Sequence, residues 1–421
     1  MRTTAELSRA SLPELARFVE GMAAREDVRI SELCDVLLRK AVLARVSDVH
    51  VEPTRRGTRV RYRIDGVFQD AGVLPPAIHD QLVARIKVLA DLLTHRRDIV
   101  QEGRISLPVD GRTTDLRVSV VPTVGGEKVV IRIFSTGESN FDLAEIGYDG
   151  PMLRRLRSMI FDLEGLILLT GPSGSGKTTT LYAMLSAIAS EMDAYASIIT
   201  IEDPVEYEFG LFSQMQVNRQ VGFDFAAGLK AALRQDPEVI MVGEIRDVET
   251  AEVALRAGLT GHMVLSTLHS GSAPETVTRL VNMGLEPFVV ASALTGVIAQ
   301  RLVRRVCSGC RAEVALEPAK QELVTRLAKR ESSEPLVFFQ GKGCEACQFT
   351  GYAGRVPIAE LLVVDEELRS MILEKARTTT IRNHLLTRGW PTIFDDGLSK
   401  ALQGLTSFEE IIRTISLREA V

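Results

Sequence analysis

Residues 171–178 read Gly171-Pro172-Ser173-Gly174-Ser175-Gly176-Lys177-Thr178, a glycine-rich loop of the form GxxxxGK[ST], with Thr179 next in line. The apolar run Leu166-Ile167-Leu168-Leu169 precedes it, and the helix-compatible stretch 179–185 comes after it. Few folds accept this order. A buried strand must stop in a loop whose backbone N–H groups curl around an anion, and a helix must start from that loop with its positive end toward the same anion. Residues 171–179 are therefore the expected contacts to a nucleoside triphosphate. Lys177 is expected to reach the outer phosphates, and the Thr178 hydroxyl to sit on Mg²⁺. A glycine turn with an accidental Lys-Thr leaves the flanks unexplained.

From residue 166 onward, short apolar strands at 166–170, 197–201, 239–242 and 263–267 alternate with helical stretches. That pattern predicts an α/β domain with a mostly parallel sheet and helices on both faces. Earlier in the chain the period changes. Residues 1–45 read as short amphipathic helices. Residues 47–70 alternate, with Val60, Tyr62 and Ile64 on one strand face and Arg59, Arg61 and Arg63 on the other. Residues 105–134 look like strands again, so 46–140 reads as an α+β domain. A linker with Gly137, Ser139, Asn140, Gly147 and Gly150 joins it to the strand–loop–helix region. The expected order is a helical segment 1–45, the α+β domain 46–140, the nucleotide domain 141–305, a cysteine module 306–360 and a helical region 361–421. Gly404 reads as a helix stop, and Thr406-Ser407-Phe408-Glu409 as a capping box.

At 421 residues, with 45% hydrophobic and 25% charged, this is the profile of a multidomain globular protein. The net charge of −5 gives no global footprint for nucleic acid. The start lacks the pattern of a signal peptide, and the most apolar stretch, 287–299, is too short to span a bilayer. A cytoplasmic protein is expected, with any membrane contact made through a partner.

Four further constellations carry chemistry. In Ile199-Thr200-Ile201-Glu202-Asp203-Pro204, a strand ends in an acidic pair that faces a phosphate loop in such a fold; Glu202 and Asp203 are candidates to hold Mg²⁺ through water, and a solvated acidic turn is the competing reading. In Val239-Ile240-Met241-Val242-Gly243-Glu244, Gly243 stands where phosphate-loop ATPases usually place a metal-binding Asp. Glu244 keeps the position that orients or deprotonates the attacking water. His262 and His269 bracket the strand 263–267, as candidate sensors of the γ-phosphate. Cys307-x-x-Cys310 and Cys344-x-x-Cys347 supply four thiolates for a closed tetrahedral Zn²⁺ site, with a helical segment near 320–330 between the pairs. Cys34 is left over as a small core residue. The first domain also offers Arg59, Arg61, Arg63, Arg104, Arg117 and Arg132. A solvated sheet face is the better reading for any one of them, but if the chain forms a ring, at least one of the set is expected to reach a neighbour's γ-phosphate.

Together these residues resemble the secretion ATPase superfamily, which drives type II secretion, type IV pilus assembly and pilus retraction. Its Walker A, Asp, Walker B and His boxes appear in order at 171–178, 202–207, 233–247 and 260–269. Ser47-Asp48-Val49-His50-Val51-Glu52-Pro53, Arg61-Tyr62-Arg63-Ile64-Asp65-Gly66 and Gly126-Glu127-Lys128-Val129-Val130 extend the likeness to about residue 45. The cysteine module, with Gly351-Tyr352 and Gly354-Arg355, is similar to the type II secretion and pilus-assembly branch; retraction motors lack it. The resemblance implies a RecA-like ATPase domain and ATP, Mg²⁺ and Zn²⁺ as bound species. It implies a hexameric ring at the cytoplasmic face of the inner membrane, acting through a polytopic platform protein on pilin-like subunits. It also implies that arginines such as Arg104 and Arg117 approach nucleotide between domains or subunits.

The chain departs from the pattern in its short region before residue 45, in Arg219 where relatives often have Pro, in Ser270-Gly271-Ser272, and in Glu238 where relatives often have Asp. Three other readings stay open: a retraction motor, a nucleotide-binding regulatory subunit with little hydrolysis, and a DNA translocase. The four cysteines oppose the first. Intact Lys177, Thr178, Glu202 and Glu244 oppose the second. The acidic balance opposes the third.

Overall fold

The computed structural model describes residues 11–23, 28–133, 141–192, 196–328 and 336–415. Gly137, Ser139 and Asn140 of the expected linker lie outside the described residues. The chain divides into two compact units, Met1–Ser139 and Asn140–Val421 less the short stretch Gly343–Phe349.

In the first unit, strands β1 (Asp48–Thr54), β2 (Gly57–Ile64), β3 (Val67–Leu74), β4 (Gln101–Val109), β5 (Arg112–Thr123) and β6 (Gly126–Ile133) form an antiparallel sheet in the order β3-β2-β1-β6-β5-β4. One face is apolar. Val60, Tyr62, Val118 and Ile131 on it share a core with Leu15, Val19, Leu33 and Leu37 of the helices Leu12–Ala23 and Ile30–Leu43. The Tyr62 hydroxyl donates to the Leu37 carbonyl at 2.6 Å, the polar handle that lets a tyrosine be fully buried. The helices expected as a separate segment before residue 45 are thus part of this unit, because each needs the sheet to cover its apolar stripe.

The opposite face carries the arginines, as the period-two pattern predicts. Arg59 pairs with Asp70 at 2.8 Å and Arg61 with Glu52 at 2.5 Å. Arg63 and Arg132 both lie 3.3 Å from Asp48. The strand register sets Arg104 opposite Arg117, and Arg117 opposite Arg132.

The second unit is built on a sheet of β7 (Gly165–Thr170), β8 (Ile198–Glu202), β9 (Ser213–Gln216), β10 (Val239–Val242), β11 (Met263–Leu268), β12 (Leu294–Val306) and β15 (Tyr352–Val363). The order is β15-β12-β7-β11-β10-β8-β9, with only β15 antiparallel to its neighbour. Both faces are covered. Leu166, Leu168, Ile201, Ile240, Val242 and Val264 enter one core, while Ile167, Leu169, Met241, Met263 and Leu265 enter another. Strands buried on both sides read as unbroken apolar runs, which is why the sequence shows them.

The expected boundary at 305/306 falls at the end of β12. Residues 352–360, read from sequence as part of the cysteine module, instead return to the sheet as β15 and pair with β12 from Arg304↔Arg355 to Gly296↔Val363. That pairing covers an edge that β12 would otherwise expose. Between β12 and β15, the short strands β13 (Arg311–Val314) and β14 (Phe338–Gly341) form an antiparallel ribbon around the helix Pro318–Ala328. The last helix, Phe408–Thr414, starts at Ser407, whose hydroxyl accepts from the Glu410 N–H; the partner is Glu410, not Glu409 as the capping-box pattern suggested. Among the described residues no helix is long and apolar enough to cross a membrane.

Candidate nucleotide site

All the parallel strands end on one side of the sheet, and the loops that leave those ends gather there. The phosphate loop leaves β7 and feeds the helix Lys177–Glu191. Gly174 and Gly176 take φ of 77° and 87°, where a Cβ is strained. Gly176 is the N-cap and offers no side chain to the first helical N–H groups, so those donors remain for a ligand. Ser175 Oγ is buried and has no hydrogen-bond partner among the described residues. Lys177 Nζ donates to the carbonyls of Gly171 and Pro172 at 2.9 and 3.1 Å, folding the ammonium over its own loop. Burial lowers the pKa of Lys177, while nearby Glu244 raises it. Uncapped donors, an unpartnered hydroxyl and a cation on one loop fit a polyphosphate.

The neighbouring strand ends supply the acids. Gly243 N donates to the Ile201 carbonyl at 2.8 Å, joining the tips of β10 and β8. A Cβ on Gly243 would lie 3.2 Å from that carbonyl oxygen, so the position that usually carries Asp is crowded by backbone here. The carboxylate beyond it, Glu244, is mostly buried. It binds Arg246 at 2.5 Å through one oxygen and lies 3.7 Å from His269 Nε2 through the other.

Glu202 is 3% exposed. Its Oε1 accepts from Thr200 Oγ1 at 2.6 Å and Gln214 Nε2 at 3.1 Å, and its Oε2 from the Tyr182 hydroxyl. Oε1 is saturated and Oε2 keeps one lone pair, so any metal contact is narrowly aimed. Burial and the bond to Glu202 both push the Tyr182 hydroxyl pKa up, which keeps it a donor. Asp203 is exposed and accepts from Arg219 at 2.9 Å. The residue that departs from the family pattern thus neutralises a candidate metal carboxylate.

The two histidines separate. β11 runs parallel to β7 with Met263 opposite Gly165 and Leu268 opposite Thr170. His269 comes after the strand and joins the acidic cluster. His262 precedes it and sits at the far edge of the sheet, where its backbone carbonyl accepts from Gly165 N at 3.1 Å. Its Nδ1 lies 3.1 Å from both the Ala257 carbonyl and Thr260 Oγ1. Within this chain the phosphate loop and His262 are therefore on opposite edges, and of the two candidate sensors only His269 stands on the side of the loop. The reason is strand direction: a parallel sheet brings only the residues after each strand to the ligand edge.

Sequence reasoning missed Tyr148, Tyr182, Gln300 and Arg301. Gln300 is buried under the loop, with Nε2 donating to the Ser175 carbonyl at 2.7 Å. Arg301 is also buried and donates to the Gly271 carbonyl at 2.7 Å. The signal was present: Gln300-Arg301 is a polar pair inside the apolar strand Val297 to Val303.

The four cysteine thiols meet, with all Sγ atoms within 4.8 Å of one another. Cys344 and Cys347 Sγ are 3.8 Å apart, the edge of a tetrahedron with Zn–S bonds of about 2.3 Å. The β13–β14 ribbon brings the pairs together, since β13 begins after Cys310 and β14 ends before Cys344. Lys342 N donates to the Cys310 carbonyl at 3.0 Å and closes that end.

The family model for "Type II/IV secretion system protein" matches residues 23–413. The chain belongs to the type II/IV secretion system protein family. It is a phosphate-loop ATPase of that family. It is 42% identical over 402 residues to the type II secretion system ATPase E of Vibrio cholerae serotype O1, covering 95% of this chain and 78% of the relative. It is 39% identical over 390 residues to the type IV pilus assembly ATPase PilB of Myxococcus xanthus, covering 92% of this chain and 68% of the relative. Among solved structures, the pilus retraction motor PilT with bound ADP aligns at a TM-score of 0.56 and 26% identity, over 90% of this chain and 95% of that one. The Legionella pneumophila ATPase DotB aligns at 0.64 and 23% identity over 90% and 93%, a likeness of fold. This secretion ATPase core therefore has the α/β architecture expected from the loop and its strands.

Proposed function

We propose that this secretion ATPase binds MgATP on residues 171–179 and couples its hydrolysis to type II protein secretion or to type IV pilus assembly. The observation that carries the reading is the convergence of the phosphate loop with Lys177, Glu244 and His269 on one edge of one parallel sheet. Lys177 holds the outer phosphates. Glu244 orients the attacking water and accepts its proton. His269 contacts the other face of Glu244 and senses whether the γ-phosphate is present. Thr178 would hold Mg²⁺ directly, with Glu202 through its free lone pair, or Asp203, in the outer shell; the ion would neutralise charge on the phosphates.

Arg104 and Arg117 stand side by side on the first unit's sheet, and among the described residues no acid pairs with either. Like charges directly opposite across a sheet destabilise it unless an anion is met. This supports a ring, taken as a hexamer, in which such arginines complete a site on nucleotide. The four thiols fit structural Zn²⁺ and leave no open catalytic position. The cysteine module favours assembly over retraction. The expected partner is a polytopic platform protein of the inner membrane, with this ATPase at the cytoplasmic face.

The test is deletion of the gene, complemented with wild type or with Glu244→Gln. Loss of secreted protein or of surface pili, restored only by wild type, is the expected result. Pili that accumulate and fail to retract would replace this reading with the retraction motor.

A further inference from the structure

Gln300 is 1% exposed, and its amide makes three hydrogen bonds within this site. Its Nε2 donates to the Ser175 carbonyl inside the phosphate loop at 2.7 Å. Its Oε1 accepts from Thr180 Oγ1, in the first turn after the loop, at 3.1 Å, and from the Tyr148 hydroxyl. The loop rests directly on this residue. A Cβ on Gly176 would lie 2.9 Å from Gln300 Nε2, and one on Gly171 would lie 2.4 Å from the Gln300 carbonyl oxygen.

Tyr148 belongs to the segment 141–149, which leads into the helix Gly150–Phe161. The same segment begins with Phe141, whose ring lies 5.4 Å from that of Tyr182. The Tyr182 hydroxyl in turn donates to Glu202. One segment therefore touches the supports of both halves of the site: the loop through Gln300, and the acidic strand end through Tyr182.

We propose that Gln300 is a positioning residue for the phosphate loop, and that Tyr148 acts through it to tie segment 141–148 to nucleotide occupancy. The Ser175 carbonyl fixes the orientation of the Gln300 amide, because it can only accept and so takes the N–H, which leaves the oxygen to accept from the two hydroxyls. Burial raises the pKa of the Tyr148 hydroxyl and keeps it a donor. A shift of the Ser175 peptide on ligand binding moves the amide, and with it the hydroxyl that holds the segment. The coupling from Ser175 to Tyr148 travels through two hydrogen bonds in a buried, close-packed site, where a small displacement has no slack to absorb it.

This inference rests on residues 171–178 being the nucleotide site, and the test separates the two. In the full-length protein, mant-ATP affinity with Mg²⁺ is measured together with hydrogen exchange of segment 141–148, with and without nucleotide. Wild type is expected to gain protection there on binding. Tyr148→Phe keeps the buried ring and is expected to melt near wild type without nucleotide. It should bind roughly three- to tenfold more weakly and lose the added protection at 141–148 while keeping it at the loop. Gln300→Glu keeps both acceptor bonds, sets a carboxylate oxygen against the Ser175 carbonyl, and should weaken binding further. Wild-type affinity and protection in Tyr148→Phe overturn the proposal, as does a lower melting temperature with unchanged affinity. Lys177→Ala is the control: unchanged binding in it would overturn the nucleotide site itself.

Discussion

His269 Nε2 lies 3.7 Å from Glu244 Oε2, across the adjacent tips of β11 and β10. Arg246 holds the other Glu244 oxygen at 2.5 Å. The carboxylate is thus clamped between a cation and an imidazole, with its position fixed before nucleotide arrives. Glu244→Gln should lower kcat by about a hundredfold or more while leaving nucleotide affinity within a few-fold of wild type. Steady-state phosphate release and mant-nucleotide titration check this together. Wild-type turnover in the mutant would remove Glu244 from its role.

The separation of the histidines yields a paired prediction. His269→Ala should reduce kcat, because it frees one side of Glu244. His262→Ala removes a bond to the Ala257 carbonyl at the far edge, so compared with wild type at the same protein concentration it should lower the melting temperature slightly and leave kcat unchanged. Parallel melting curves and rate assays decide it. A rate loss confined to His262→Ala would reverse the assignment.

Protein purified without chelators should contain about one zinc per chain. Cys310→Ser should lower that content and destabilise the β13–β14 ribbon, because a missing thiolate opens the tetrahedron. Acid should release the metal as thiolates protonate. Elemental analysis and melting with and without a chelator read both effects. No stoichiometric zinc would contradict the site.

Glu410 gives a pH dependence with a definite sign. Burial pushes its pKa up, but the hydrogen bonds from Arg304 and Arg413 outweigh it and bring the carboxyl down from 4.5 to about 2. Its side chain is 1% exposed. A carboxyl held low when folded stabilises the protein above its unfolded pKa, and that contribution disappears as pH falls from about 4.5 toward 2. The shift corresponds to roughly 3 kcal/mol. Denaturant unfolding at pH 7 and near pH 3 should show a smaller loss in Glu410→Gln than in wild type. Equal acid losses would refute the pairing.

The loop, the strands and the acids were legible because each arises from local chemistry. A phosphate loop needs its glycines in sequence, a doubly covered strand needs an apolar run, and four cysteines in two tight turns can chelate. What was not legible depends on long-range register. Gln300 lies under Ser175 only because β12 pairs with β7 and runs past its end. Tyr182 meets Glu202 only once the helix after the loop packs on the sheet. β15 was assigned to the cysteine module because an antiparallel edge strand carries no local mark of its partner. His262 was readable in principle, since it stands before its strand, but two histidines near one strand outweighed the direction of that strand.

The most direct measurement is the Mg-ATPase rate per subunit against protein concentration, for wild type and Glu244→Gln, with and without the membrane platform protein. A wild-type rate that rises with concentration and vanishes in the mutant is expected from the proposed ring, in which a neighbour's arginines would complete each site. A rate at background for both proteins at every concentration, even with the platform protein added, would contradict the motor reading and leave a nucleotide-binding subunit.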